Sequence, residues 1–141
     1  MQTLGPSTPR SRAALLLVCP PGVDREVYVA ALAVSGFIIE TVDDVSSAAH
    51  SLERITSPDI VVTDLLPRPQ DTWAFVEQMS PTAAVVIFTA LIRPDGLNRR
   101  RARHLGCAAF LAKPCSPRQL VDVVTRVQDG EREIEVVKYS L

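Results

Sequence analysis

Residues 58–64, PDIVVTD, decide how this sequence folds. The β-branched run after the proline predicts a strand over 59–63 that ends at Asp64. A similar run, AALLLV at residues 13–18, is wholly apolar and is closed by two prolines and a glycine. A short apolar segment between such breakers is typical of a strand that is buried on both faces. Both strands are therefore expected inside a sheet that is covered on both sides.

Outward from these runs, strand and helix patterns alternate five times. The further strands are predicted at 37–42, 83–88 and 108–112, and the helices at 23–36, 45–52, 72–79, 94–105 and 117–130. Parallel neighbours need a crossover, which a helix supplies, so this alternation predicts a parallel sheet. The fold class is α/β, with right-handed crossovers and helices on both faces.

Particular residues are expected to cap the helices, and others to form their buried faces. Either Asp44 or Ser46 caps the second helix, and Ser116 caps the last one, with a proline at its first position. The predicted buried faces follow helical spacing. They consist of Val27, Ala30, Ala31 and Val34 in the first helix and of Leu120, Val123, Val124 and Val127 in the last.

Size and composition fit one domain. The chain has 141 residues, 47% of them hydrophobic, and single domains usually contain about 100–150 residues. The boundaries are predicted as a flexible leader over 1–12, the domain over 13–130 and a tail over 131–141. The leader lacks the apolar core of a signal peptide, and no run reaches the roughly 18 apolar residues of a membrane span. A cytoplasmic protein is expected.

Charge and cysteine content exclude several classes of protein. The net charge is -1, which gives no global attraction to nucleic acid or to anionic membrane. The three cysteines are odd in number and form no CxxC pair, so neither a disulfide framework nor a structural zinc site is expected. They are Cys19, Cys107 and Cys115.

Chemistry is expected where the strands end, because open α/β sheets bind ligands at that edge. Cys19 and Pro20 follow the first strand, Asp64 the third, Thr89 the fourth and Lys113 the fifth. An aspartate after a strand is, taken alone, more often a turn or cap residue. A carboxylate, a hydroxyl and an ammonium group arriving from three strands are more informative together, and they predict a polar site.

Three motifs resemble the response-regulator receiver family: PDIVVTD at 58–64, VIFTA at 86–90 and FLAKP at 110–114. The resemblance extends over residues 15–128. It implies a flavodoxin-like doubly wound sheet of five parallel strands in the order 2-1-3-4-5, with five helices. It also implies a role in two-component or phosphorelay signalling, with a histidine kinase or another signalling protein as partner.

The resemblance also implies individual roles. Asp64 would be the phosphoacceptor, Thr89 the switch hydroxyl, Lys113 the ammonium group that contacts the phosphoryl group, and Phe110 the aromatic residue that rotates. The Lys113-Pro114 bond would be cis. A carboxylate can form an acyl phosphate, whose oxygens then need a donor and a positive charge. Movement of Thr89 toward that group would vacate space for the phenyl ring of Phe110, which is a two-state packing change.

The sequence departs from the family at the metal site. Where the family has two acidic residues to hold Mg²⁺, this chain has Cys19 and Pro20. Mg²⁺ prefers hard oxygen ligands in octahedral geometry, and thiolate is soft. Only Asp64 and the carbonyl of Leu66 remain of the expected ligands, and Asp24 is expected to face elsewhere. We therefore expect no cofactor beyond weak Mg²⁺ binding, and weak or absent phosphorylation of Asp64.

The fourth helix carries a cluster of arginines, Arg99, Arg100, Arg101 and Arg103. Such a run is often only a solvated helix face. The family uses the face made by its fourth helix, fifth strand and fifth helix for partners or dimers, so these arginines are also candidates for an acidic partner or a homodimer. Nucleic acid is not expected, because the chain as a whole is not basic.

Three functions remain open. The first is a non-enzymatic receiver, or pseudo-receiver, that signals through protein contacts with little or no phosphorylation. The second is a phosphorylation-competent switch that uses a metal bound by Asp64 and carbonyl groups. The third is a structural dimerisation module or a fragment of a larger regulator.

Overall fold

The computed structural model describes residues 13–52 and 57–137. The predicted leader, 1–12, and the last residues of the predicted tail, 138–141, lie outside the described residues. The elements are β1 (Ala14–Val18), α1 (Val23–Val34), β2 (Ile38–Val42), α2 (Val45–Leu52), β3 (Ile60–Thr63), α3 (Pro69–Met79), β4 (Ala84–Thr89), α4 (Leu97–His104), β5 (Ala109–Ala112), α5 (Pro117–Gln128) and β6 (Ile134–Val136).

The strands form one sheet in the order β2-β1-β3-β4-β5-β6, and every neighbouring pair is parallel. The predicted order of the first five strands is confirmed. The expected count of five strands is wrong, because residues 134–136 of the predicted tail pair with β5. Ile134, which lies opposite Ala109, is buried and packs into the core. A three-residue strand between charged residues is too short to show a period in the sequence.

The sheet separates two apolar layers. Alternate residues of a strand face opposite sides, so Leu15 and Leu17 pack with α1 and α5, while Leu16 and Val18 pack with α3. All four side chains are buried. Each large apolar side chain that is removed from water stabilises the fold by about 1.5–3 kcal/mol. The core therefore holds the ends of β1, β3, β4 and β5 at one rigid edge.

The predicted buried face of α1 is wrong. Val27 and Val34 are 45% and 89% exposed, whereas Leu32 is fully buried. The ring of Tyr28 packs edge-on against Phe88 with centroids 5.0 Å apart, which fixes the rotation of the helix. α1 has apolar residues around most of its circumference, so spacing alone did not identify the face toward the sheet.

Other helix features agree better with the sequence. Asp44, one of the two predicted caps of α2, accepts a hydrogen bond from the backbone N–H of Ser47. Ser116 and Gln119 form a capping box at the start of α5. The predicted buried face of that helix is confirmed: Leu120, Val123, Val124 and Val127 are all buried.

Two helix starts differ from the prediction. α3 begins at Pro69, three residues before Thr72. α4 begins at Leu97, three residues after the predicted start, because Gly96 has a positive φ of 70° and Asp95 accepts the N–H of Leu97.

Candidate functional site

The predicted polar residues meet at the carboxyl edge of the sheet. Asp64 follows β3, Thr89 ends β4, and Lys113 follows β5. The ammonium Nζ of Lys113 lies 2.9 Å from Oδ2 of Asp64. The hydroxyl of Thr89 donates to Oδ1 of Asp64 at 2.5 Å, and the backbone N–H of Leu66 donates to the same oxygen at 3.0 Å. Both carboxylate oxygens of Asp64 are therefore bonded to protein donors.

This ion pair is largely shielded from water. The side chains of Asp64 and Lys113 are 14% and 23% exposed. The Nζ atom of Lys113 also lies 4.7 Å from the ring centroid of Phe88, a cation–π contact. Partial removal of water strengthens such electrostatic contacts. The Lys113-Pro114 peptide bond that precedes α5 is cis, as predicted, and the Leu66-Pro67 bond beside Asp64 is also cis.

The residues at the metal positions do not form a ligand set that suits Mg²⁺. Cys19 is buried, and burial raises the pKa of its thiol. Pro20 is exposed and has no side-chain donor atom. The guanidinium of Arg25 donates to the carbonyl of Cys19 at 3.1 Å and to Asp43 at 2.7 Å, which places a positive charge beside this edge. Within residues 13–52 and 57–137, no group of three or more His, Cys, Asp or Glu could hold a metal ion.

The two predicted switch residues are both buried. Thr89 is fully buried, and its hydroxyl also accepts the backbone N–H of Leu91 at 3.1 Å. Phe110, which is 2% exposed, packs in the layer that contains α3. Thr89 thus contacts the carboxylate of Asp64 while the ring of Phe110 lies inside the protein.

The arginines of α4 make contacts within the chain. The guanidinium of Arg101 lies 5.0 Å from the ring centroid of Trp73 on α3, and Arg100 donates to the carbonyl of Asp95. Arg103 forms an ion pair with Glu135 of β6. Because β6 pairs along β5, the predicted partner face has an extra strand at its centre.

A groove between α2 and α3 begins at the same edge. Its volume is about 550 Å³, and no sequence pattern predicted it. Its lining comprises Val18, Pro20, Asp43, Asp44, Val45, Ser46, Ala49, Asp64, Leu66, Pro67, Arg68, Asp71, Thr72, Ala74, Phe75 and Gln78. The positions of Arg25 and Glu135 were likewise not predicted, because each depends on a partner that is distant in sequence.

No protein-family model and no curated protein matches the sequence. Solved structures do match. A response regulator from Thermotoga maritima superposes with a TM-score of 0.74 at 16% identity, covering 84% of this chain and 99% of the other. A chemotaxis response regulator of Vibrio cholerae gives 0.70 at 20% identity, covering 83% and 99%. A LuxR family DNA-binding response regulator from Silicibacter pomeroyi gives 0.72 at 23% identity, covering 89% and 97%.

Proposed function

We propose that this chain, which has the fold of response-regulator receiver domains, is a signalling receiver that acts through protein contacts without depending on phosphorylation of Asp64. The observation that carries the proposal is the hydrogen bond at 2.5 Å from the hydroxyl of Thr89 to the carboxylate of Asp64. In a phosphorylation-dependent receiver, the threonine hydroxyl would move to contact the phosphoryl group. In this chain, the hydroxyl of Thr89 already contacts the carboxylate of Asp64. Structural neighbours of this fold are receivers of signalling proteins, which supports the general role.

The surroundings of Asp64 support weak phosphoryl transfer. Attack on a phosphodonor uses a lone pair of the carboxylate. Oδ1 of Asp64 already accepts from Thr89 and Leu66, and Oδ2 accepts from Lys113, so the hydrogen bonds of the protein reduce the nucleophilicity of this carboxylate. The transferred group also needs positive charge to neutralise it. Lys113 provides one such charge, whereas Cys19 and Pro20 provide no acidic ligand to recruit a metal. We expect any Mg²⁺ binding to be weak.

The positions of Thr89 and Phe110 support a fixed signalling state. In the two-state scheme, the threonine moves toward the acceptor and the aromatic ring fills the space that it leaves. Here Thr89 contacts Asp64 and Phe110 is buried, which is the arrangement that this scheme assigns to the signalling state. The chain is then a non-enzymatic binding module of the cytoplasm, whose partner is a histidine kinase or another signalling protein. Every helix among the described residues is too short or too polar to span a membrane.

A phosphorylation-competent switch is the second candidate. It is favoured by the meeting of Asp64, Thr89 and Lys113 at hydrogen-bonding distances, which is the arrangement that an acyl phosphate would need. In this candidate, a phosphodonor displaces the hydroxyl of Thr89 from one oxygen of Asp64, and the metal binds Asp64 and the carbonyl of Leu66.

Dimerisation through the fourth helix is the third candidate. The exposed residues Arg100 and Arg101 support it, since they could pair with acidic groups of a second copy, whereas Arg103 already pairs with Glu135. The pairing of β6 along β5 would then place β6, instead of β5, in the contact.

Intact mass spectrometry separates the first two candidates. The protein is incubated with Mg²⁺ and acetyl phosphate, beside an Asp64→Asn variant and an ordinary receiver with an intact acidic pair. We expect the ordinary receiver alone to gain a phosphoryl group. A labile phosphoryl group on the wild-type chain that is missing from the Asp64→Asn variant would overturn the proposal and establish the switch.

A further inference from the structure

The groove between α2 and α3 has the size of a ligand site. Its volume of about 550 Å³ lies within the range of roughly 300–1,000 Å³ of small-molecule pockets. It runs from the carboxyl edge of the sheet, at Pro20 and Asp64, outward between the two helices. Because a proline replaces an acidic side chain at its inner end, this end is less polar than a metal site would be.

Both walls of the groove carry an apolar patch beside polar residues. Val45 and Ala49 of α2 line one side, and Ala74 and Phe75 of α3 line the other. Phe75 is buried, whereas Ala49 and Ala74 are exposed small residues that leave the space open. Ligand pockets are typically lined by such aliphatic and aromatic groups, with a few polar groups that orient the ligand. The body of a ligand that fits here is therefore apolar.

The charges at the mouth favour a cation. Of the four carboxylates that line the groove, two are already paired, Asp43 with Arg25 at 2.7 Å and Asp64 with Lys113 at 2.9 Å. For the other two, Asp44 and Asp71, the nearby cation of the lining is Arg68, and Asp44 also accepts the backbone N–H of Ser47.

That guanidinium is a weak competitor, because it is exposed and its ion pair is long. Arg68 lies 4.0 Å from Asp71, and the two side chains are 81% and 60% exposed. The pKa of Asp44 is lowered, first by the hydrogen bond from the backbone N–H of Ser47 and in smaller part by Arg68, so this carboxylate is charged at neutral pH. Two carboxylates that share one guanidinium leave negative charge at the mouth.

We propose that the groove between α2 and α3 binds a small amphipathic organic cation, with an aromatic or aliphatic body against Phe75 and Val45 and an ammonium group at Asp44 and Asp71. α2 and α3 position both parts of the site. This inference goes beyond the receiver role and does not rest on it, since none of its steps uses phosphorylation of Asp64.

The test uses tryptamine as the probe, with tryptophol and indole-3-acetate as neutral and anionic compounds that carry the same ring. Binding to the full chain is followed by shifts of backbone amide signals in nitrogen-15 NMR spectra, in 150 mM NaCl. A ligand of this size should bind with a Kd on the order of 1 mM. We expect tryptophol to bind about fivefold more weakly than tryptamine, and indole-3-acetate more weakly still. The shifts should be confined to residues that line the groove.

Two pairs of variants complete the test. Asp71→Asn should weaken tryptamine about fivefold, while Glu77→Gln, an exposed carboxylate on the same helix outside the groove, should leave Kd unchanged. Ala49→Trp should fill the groove and abolish binding, while Ala30→Trp on the exposed side of α1 should not. Equal affinities for the three compounds, shifts spread over the surface, or full binding by Ala49→Trp would overturn the inference. None of these outcomes bears on the phosphorylation of Asp64, which the mass measurement decides separately.

Discussion

Replacing Lys113 by methionine should reveal how strongly the site is held together. The ion pair with Asp64 is mostly shielded, with side chains 14% and 23% exposed. Breaking a fully buried pair costs about 3–5 kcal/mol, because the remaining charge is stranded, whereas exposed pairs contribute roughly 0.2–1 kcal/mol. We expect Lys113→Met to lower the free energy of unfolding by an intermediate amount, about 2–3 kcal/mol. Methionine removes the charge over the ring of Phe88 and keeps an unbranched side chain of similar length.

A double-mutant cycle isolates the pair from other effects of the substitution. Asp64→Asn removes the charge but keeps a carbonyl oxygen that can accept from the hydroxyl of Thr89. The double variant has neither charge, so it should be more stable than the sum of the single effects predicts. The expected coupling energy is about 2 kcal/mol. Urea unfolding followed by circular dichroism gives each value, provided that the slope with urea concentration is unchanged.

The control is an exposed arginine on α5, Arg126, which pairs with Glu131 and Asp122. Its replacement by methionine should cost less than about 1 kcal/mol. A coupling energy between Lys113 and Asp64 below about 0.5 kcal/mol would refute the reasoning, because the pair would then behave as an exposed one.

Three further predictions follow from burial. Leu32→Ala in α1 should lower the free energy of unfolding by about 2–5 kcal/mol. Val34→Ala, at a site that is 89% exposed, should change it by less than roughly 0.5 kcal/mol. Equal urea midpoints for the two variants would contradict the observed rotation of the helix. Burial raises the pKa of Cys107 to about 12, so at pH 8 a disulfide reagent should modify the partly exposed Cys115 first and Cys107 only after unfolding. Ile134→Ala should destabilise the chain by about 2–4 kcal/mol in urea, and a loss under 0.5 kcal/mol would mean that β6 does not pack as described.

The parts of the fold that depend on local sequence could be predicted. The β-branched run at 60–63 and the apolar runs of the other core strands determined the parallel sheet, and the sheet in turn brought Asp64, Thr89 and Lys113 to one edge. The start of α5 was also local, since Ser116 and Pro117 are sufficient signals for a helix N-terminus. These predictions needed no knowledge of which helix packs against which strand.

The parts that depend on distant partners could not be predicted. The rotation of α1 is fixed by the contact of Tyr28 with Phe88, and helical spacing assigned Val34 instead of Leu32 to the core. β6 depends on the open edge of β5, where Ile134 finds a buried place. The groove depends on the distance between α2 and α3, and no sequence pattern predicts that distance. Residue spacing identifies the helices, the strands and the edge of the sheet where polar residues meet, whereas the rotation of a helix and the gap between two helices depend on tertiary packing.

The sixth strand also changes where the chain leaves the domain. α5 must run back across the sheet to connect two parallel strands, so a chain that stopped after α5 would exit at the amino edge. β6 returns it, since Val136 lies level with Leu111 near the end of β5. Residue 13 therefore enters at the amino edge and residue 137 leaves at the carboxyl edge, and β1 and β6 are also four strands apart in the sheet. A protein fused after residue 137 would stand at the same edge as Asp64, three strands away from it, while one fused before residue 13 would stand at the opposite edge. Joining the two ends in a circular permutant would need a linker that crosses the whole sheet.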